Sequence, residues 1–426
     1  MALVAKPTSL KETGLSQWTL ADLACKHLAE AGVLDLGEIA QRLKLPGAVI
    51  EELLLFLRAE GRVELRSRRD HNAMLRFGLT DAGRRTALDA LQKDGYVGPA
   101  PITLEMYRRL VAAQSARLTP ATREKTLDIF ADTVIDPELL NRLGPAVHSG
   151  RAIFIYGMSG TGKSFVSRRL HRLIGAPVLL PHAVAVGEHL VPYFDPSLHK
   201  VAGTVGDTQS GRLNEGYDAR LLRCERPLVV AGGELTMDLL DLQYDRSVRS
   251  YAAPLQLKAN LGLFVIDDLG RQRVDPTSLL NRWILPMEEG RDQLSLKSGH
   301  HFSVPFDLTL VFSTNLQPSD LADEAFLRRI GYKVRFEPAS HDEYARIWQQ
   351  ACEQLEIGVE PGLLSFALEE LHARYEKPLL QCFPRDLLLL AGDYASYCGD
   401  ETIGRETLVW AWNNYFLENG SLQVMS

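Results

Sequence analysis

Two adjacent carboxylates, Asp267 and Asp268, end the apolar run in "LGLFVIDDLG" (261–270). Neighbouring negative charges repel, so the pair belongs either in open solvent, as any loop allows, or beside a cation. A second stretch speaks for the cation. "RAIFIYGMSGTGKSFVSRRL" (151–170) contains G-x-x-x-x-G-K-S, with Gly157, Gly162, Lys163 and Ser164 in the required places. Glycines let such a loop turn its amides inward around a β-phosphate, and the helix behind it adds the positive end of its dipole. On this reading Ser159, Gly160, Thr161 and Gly162 line the phosphates of ATP and Lys163 meets the β- and γ-oxygens. Ser164 and Asp267 then hold Mg²⁺. Asp268 stands where a longer glutamate often polarises the attacking water. One methylene less draws the carboxylate back by about 1.5 Å, which suits slow hydrolysis.

The elements that must position these groups are short and apolar. "AIFIY" (152–156) and "LFVI" (263–266) read as strands buried on both faces, the pattern of a parallel sheet, and "SFVSRRLHRLI" (164–174) has helical periodicity. Asp267 is expected at the end of a strand neighbouring the loop's own. A further core strand, "LTLVFSTN" (308–315), ends in Asn315, which can bond the γ-phosphate or the attacking water; a lone Asn is otherwise an ordinary turn residue. The helix after it ends in Arg328 and Arg329, ordinarily a solvated face.

The chain between the loop helix and Asp267 is about twice what a strand-helix-strand unit needs. It contains an expected hairpin turning near Gly187, the polar stretch "GTVGDTQSGRLNEG" (203–216), a strand "PLVVAGG" (227–233) and a helix "TMDLLDLQY" (236–244). Another hairpin is expected to turn near Ser298 and Gly299.

At 426 residues, two or three domains are expected. The hydrophobic fraction of 46% is that of a globular chain. No apolar run approaches the eighteen or so residues that span a bilayer, so no membrane insertion is expected. The start, "MALVAKPTSLKETG", lacks an apolar signal core. Cys25, Cys224, Cys352, Cys382 and Cys398 form no C-x-x-C pair, which points to neither a zinc site nor a disulfide framework but to a reduced, cytoplasmic setting. A net charge of −7 opposes coating nucleic acid by bulk electrostatics, although a local basic patch would survive it.

Residues 1–93 read as three helices and a hairpin and resemble a winged helix, with a short turn at Pro46 and Gly47 and the ending "FGLTDAGRR" (77–85). The helix that would enter a major groove begins with Glu51 and Glu52, which a phosphate backbone repels. Arg62, Arg66, Arg68, Arg69 and Arg76 in the supposed wing could touch phosphates. DNA is thus a possible partner but not the favoured one, and docking of a protein is preferred. "KDGYVGPAPITLEMY" (93–107) concentrates Gly and Pro and marks a boundary. The expected division is 1–93, a linker and entry helix 94–118, a large α/β unit 119–338, and a small helical lid 339–426.

In this order the pieces resemble an AAA+ ATPase over about residues 101–420. Walker A is "GMSGTGKS", Walker B is "LFVIDD" and sensor 1 is Asn315 in "FSTN". "DEAFLRRI" (323–330) sits where the family places its arginine finger, and "CFPRDLL" (382–388) resembles sensor 2, with Arg385 on the lid. The hairpin inserted before sensor 1 is similar to the clade of MoxR-type chaperones, magnesium chelatase subunits and bacterial enhancer-binding activators. "KANLGLFVIDDLG" and "PFDLTLVFSTNLQPSDLADEAFLRRI" also resemble a set of bacterial ATPases credited with chaperone activity. The resemblance implies a parallel sheet sandwiched by helices under a helical lid. It implies ATP and Mg²⁺, a ring oligomer (a hexamer), and a finger, Arg328 or Arg329, reaching in from the neighbour. It also implies ATP hydrolysis coupled to remodelling of a protein client or adaptor. The alternative is a DNA-associated ATP switch of the helicase-loader or transposition-regulator type, a branch that often carries Asp where many members have Glu, as Asp268 does here. For gripping a substrate, order alone offers "LQYDRSVRSYAAP" (242–254) with Tyr244, Arg246, Arg249 and Tyr251, whose tyrosines read at least as well as packed core, and the hairpin tip with Lys297, His300 and His301. Those histidines lack further ligands at metal-like spacing.

Overall fold

The computed structural model describes residues 5–66, 75–118, 121–203 and 217–416. At its centre are five parallel strands: β1 (Ile153–Gly157), β2 (Leu228–Ala231), β3 (Leu263–Ile266), β4 (Thr309–Thr314) and β5 (Tyr332–Phe336). They lie in the order β2-β3-β4-β1-β5. β3 and β4 are buried at every position, which is why they read as unbroken apolar runs rather than as alternation. Successive side chains divide between two layers. Phe154, Phe264 and Phe312 pack with Trp283 and Phe326, while Ile155, Val265 and Val311 pack with Leu143, Leu170 and Val334. The chain is therefore a mixed α/β protein with helices over a parallel sheet.

The strand order corrects one expectation. β4 pairs with both β1 and β3, so Asp267 stands on the strand next but one to the loop strand, and Asn315 on the adjacent one. Equally apolar runs carry no signal of order, because which strand inserts between two others is decided by how the crossovers pack.

The helices that matter for the site are α1 (Lys163–Arg169), α2 (Pro276–Glu289) and α3 (Glu324–Arg329). A helical unit follows, built on α4 (His341–Leu355), α5 (Phe383–Cys398) and α6 (Arg405–Phe416) around Trp348, Phe383 and Trp412. Its first helix starts at a capping box of Ser340 and Glu343.

The N-terminal region holds helices Gln17–Ala31, Leu36–Leu43 and Gly47–Ala59 and a three-stranded antiparallel sheet whose middle strand is Arg76–Leu79. Thr80 caps a fourth helix, Asp81–Lys93, so "TDAGRR" opens a helix rather than closing a hairpin.

A further apolar cluster lies outside the large sheet. Helix Leu104–Gln114 and the hairpin Ala183–Val186/His189–Pro192, turning at Gly187, contribute to it. So do two more hairpins, 243–252 and 291–305. The expected helix 236–244 is a single turn, Met237–Leu240, followed by a strand, Gln243–Asp245. Cross-strand packing of Tyr244 on Tyr251, 5.0 Å between ring centroids, overrides the local helical pattern there. Of the polar stretch 203–216, all but Gly203 lies outside the described residues.

Buried cations tie these parts together. Arg220 forks onto Asp218 and also donates to the carbonyls of Thr13 (3.1 Å) and Pro101 (3.0 Å). Lys26 donates to the carbonyl of Asp94 at 2.5 Å.

Candidate phosphate and cation site

The loop after β1 can be built only with glycine at its key positions. Gly157 has a φ of 144°, and a Cβ there would stand 2.2 Å from the carbonyl oxygen of Phe336. Gly160, at φ 85°, would place a Cβ 2.6 Å from Cys382 Sγ. Gly162, at φ 81°, starts α1 and points the first helical amides at the loop.

Lys163 follows at once and is 6% exposed. Its ammonium donates to the carbonyls of Gly157 (2.9 Å) and Met158 (2.6 Å) and to Asn315 Oδ1 (2.8 Å), so all three N–H groups have acceptors. Burial pushes its pKa below the ordinary lysine value, while the charges of Asp268 and Asp267 pull it back up. Ser164 Oγ donates to Asp267 Oδ1 at 2.9 Å. Asn315 in turn offers its Nδ2 to Asp268 Oδ1 at 3.4 Å. Lys163, Ser164, Asp267, Asp268 and Asn315 therefore meet at the carboxyl edge of β1, β3 and β4, where a parallel sheet collects ligands.

Two positioning residues escaped the sequence reading. Asp268 sits in the left-handed region, φ 51°, a conformation that a non-glycine residue keeps only when its surroundings hold it. Gln272 holds it: its Nε2 donates to the carbonyls of Asp267 (2.9 Å) and Asp268 (3.2 Å), and its Oε1 accepts from Gly270 N (2.9 Å). Thr314 Oγ1 donates to the carbonyl of Leu269 at 2.7 Å and pins the same turn to β4. Nothing in the spacing marks either residue, since each acts through backbone atoms of a turn.

A cleft of about 1260 Å³ opens between the loop and the helical unit. Ser159, Gly160, Thr161 and Asn315 line its polar end, and Ile135, Leu139, Ile347 and Leu355 supply apolar wall further along. Arg385, at the start of α5, lines it from the helical side, while Arg142, in helix Pro137–Ser149, and Arg335, on β5, line it from the α/β side; the sequence singled out neither of these two. The helical unit touches the loop directly, with Cys382 N donating to Gly160 O at 3.1 Å. Arg328 and Arg329 do not line this cleft. Both are exposed at the end of α3, and Arg329 is ion-paired with Glu288, whereas no ion pair engages Arg328 among the described residues.

Such a cleft can hold a polyphosphate with a divalent cation. Among the described residues no three His, Cys, Asp or Glu side chains gather as a cage. Ser164 and Asp267 offer one hydroxyl and one carboxylate, which suits Mg²⁺, an ion that keeps several waters and completes its shell with phosphate oxygens.

The other expected site residues are placed as follows. Tyr251 is 4% exposed and packs on His189 and Tyr244, so it is a core residue and cannot reach a substrate. In the N-terminal region Arg62 pairs with Asp22, Arg66 with Glu64 and Arg76 with Glu38. Arg68 and Arg69 lie outside the described residues. Glu52 accepts from Leu10 N at 2.8 Å.

Residues 340–414 match the model of a domain of unknown function, DUF8689, which coincides with the helical unit. No curated protein matches the chain in sequence. Among solved structures, the RuvB Holliday junction branch migration motor of Thermotoga maritima is similar at 11% identity and a TM-score of 0.37, over 72% of this chain and 76% of that one. NtrX from Brucella abortus is similar at 16% identity and a TM-score of 0.39, over 69% of this chain and 58% of that one. Likenesses this loose say nothing of activity or partners. Among the described residues no helix is long and apolar enough to cross a membrane.

Proposed function

We propose that the chain is a Mg-ATP-dependent ATPase of the AAA+ kind that works as a ring and couples hydrolysis to remodelling of a protein or protein complex. The observation that carries this reading is the convergence of Lys163, Ser164, Asp267, Asp268 and Asn315 at one sheet edge, under a helical unit that brings Arg385 to the same cleft.

In this reading the loop amides cradle the phosphates, and Lys163 exchanges one or more of its three present acceptors for phosphate oxygens. Losing the Lys163 bond frees Asn315 to act with Asp268 on the attacking water. Mg²⁺ between Ser164 and Asp267 would neutralise charge on the phosphates. Asp268 is held by Gln272 in a fixed place, which offsets part of the reach that a shorter side chain gives up. Arg329 is engaged by Glu288, so Arg328 is the residue we assign as the finger for a neighbouring subunit. Arg385 would report the state of the cleft to the helical lid, whose contact through Cys382 and Gly160 gives it a direct hold on the loop. Residues 1–93 would dock a client or adaptor. In the DNA-associated alternative, Arg62, Arg66 and Arg76 would exchange the carboxylates that now engage them for phosphates. Five free cysteines are compatible with a reducing, cytoplasmic setting.

The deciding experiment is ATP hydrolysis against protein concentration, with Lys163→Ala as the blank and Arg328→Ala mixed into wild type. Specific activity that rises with concentration and falls on mixing supports the ring, and a finger of this kind contributes on the order of 10³-fold or more. Tight ATP binding without turnover would replace the motor by a nucleotide-switched scaffold.

A further inference from the structure

Strand β4 leads into three consecutive polar residues, and two of them hold the turn that carries the carboxylates. Thr314 Oγ1 donates to the carbonyl of Leu269, while Asn315 accepts from Lys163 and offers its Nδ2 to Asp268. The third, Ser313, is 1% exposed, and its Oγ has no hydrogen-bond partner among the described residues. A hydroxyl shut away from water without a partner is costly, so its presence calls for an explanation.

Strand register says where this hydroxyl lies. Val311 of β4 stands level with Val265 of β3, and Phe312 with Ile266, so Ser313 comes level with Asp267. The carbonyl of Ser313 accepts from Leu269 N at 2.7 Å, which keeps the two segments together past that point. Val265 and Val311 both pack into the layer under α1, with Val166 and Leu170. By the alternation of a strand, Asp267 and Ser313, each two residues on, face the same layer. The bond from Ser164, at the start of α1, to Asp267 Oδ1 fixes that face for the carboxylate. Residues level on neighbouring strands lie about 4.8 Å apart, within reach of a hydroxyl-to-carboxylate bond. The carboxylate has room for one. Its Oδ1 accepts from Ser164 Oγ and, at 3.2 Å, from Asp268 N, whereas no hydrogen bond reaches Oδ2 among the described residues.

The plain alternative is close packing, since a small residue lets α1 approach the sheet. Ser167, on the buried face of α1, shows that case: its hydroxyl returns to its own helix, donating to the Lys163 carbonyl at 2.7 Å. Ser313 makes no such bond, and an alanine would pack as closely without stranding a hydroxyl. We propose that Ser313 is a positioning residue for the divalent cation: its hydroxyl donates to Asp267 Oδ2 and fixes the plane of the carboxylate when Ser164 and Asp267 hold Mg²⁺. Carboxylates that serve a metal are themselves held by hydrogen bonds, and loss of such a partner typically costs about ten- to a hundredfold in metal affinity or activity. The inference rests on the Mg-ATP reading above and adds a residue that touches neither cation nor phosphate.

The test is binding of a fluorescent, slowly hydrolysed ATP analogue to the full chain, once with excess Mg²⁺ and once with EDTA. The expected result for Ser313→Ala is an affinity about tenfold weaker with Mg²⁺ and unchanged with EDTA. Its melting temperature without nucleotide should stay at or above that of wild type, because the hydroxyl removed there is unbonded. Ser313→Cys, which keeps a weaker donor, should lie between. Wild-type affinity of Ser313→Ala in Mg²⁺ overturns the proposal. Equal weakening in Mg²⁺ and EDTA also overturns it, returning Ser313 to packing. A wild-type chain that fails to bind the analogue, or binds it no better with Mg²⁺ than with EDTA, removes the Mg-ATP reading and the proposal with it.

Discussion

The sheet edge around Lys163 and the two-hairpin end around Tyr244 both gather charge, and they do it in opposite ways. At the sheet edge the central groups other than the Ser313 hydroxyl have partners: Lys163 is nearly buried with three acceptors, and Ser164 is bonded to Asp267. At the hairpins 243–252 and 291–305 the cations Arg246, Arg249 and Lys297 are exposed and without ion pairs among the described residues, and Lys297 lays its ammonium 4.8 Å from the ring centroid of Tyr244. A buried, fully bonded group acts through geometry, and removing it leaves its partners stranded. Exposed cations act through field, each contributing little and each screened by salt. The first arrangement suits one small ligand in one pose.

Four experiments would break or sharpen that contrast. The largest effect is expected from Lys163→Ala, which should lower ATP turnover by at least about 10²-fold. Turnover near that of wild type would mean that the buried lysine does not hold phosphate. Next comes Gln272→Ala. Releasing the turn that holds Asp268 should lower kcat by roughly tenfold with KM little changed, because the residue touches neither phosphate nor cation in the proposed reading. Equal changes in kcat and KM would return Gln272 to a general structural role.

Gly95→Ala addresses the other region. Gly95 N donates to the carbonyl of Arg249 at 2.9 Å, and the added methyl meets the Val248 carbonyl at 1.8 Å. It should displace the hairpin turn, lowering stability by about 1 kcal/mol in denaturant unfolding with turnover unchanged. Wild-type stability would show that the turn need not be fixed.

The smallest effect is a pH dependence of stability. Burial pushes His182, which directly precedes strand Ala183–Val186 and faces Phe194, down to about 4, and its Nε2 has no hydrogen-bond partner among the described residues. The folded pKa lies below the unfolded one, so its contribution is complete above the ordinary histidine value. It is lost as pH falls from there through about 4. The expected loss is read as a falling melting temperature at acid pH that His182→Phe flattens. An unchanged profile in the variant would assign the acid limb to other groups.

How much of this was legible follows from where each group gets its place. Gly157, Lys163 and Ser164 are positioned by a few consecutive backbone turns, and Asp267 and Asn315 by the ends of apolar strands, so type and spacing were enough to expect them at one place. Gln272 and Thr314 bond turn carbonyls, which every residue possesses, and left no mark. The helix expected at 236–244 failed because a cross-strand aromatic pair outweighed local periodicity, and the same pair decides between the two readings of Tyr251 in favour of packed core. Arg328 and Arg329 are indistinguishable in sequence, and only the position of Glu288 separates them.

By itself, then, the amino-acid sequence determined the loop, the strands that bear its partners and the α/β class, because apolar runs and glycines act over a few residues. The order of the strands, the meeting of Lys297 with Tyr244 and the cleft shared with Arg385 were decided only by tertiary structure. Each depends on elements far apart in the chain burying apolar surface against one another, and surface area carries no record of which partner will cover it.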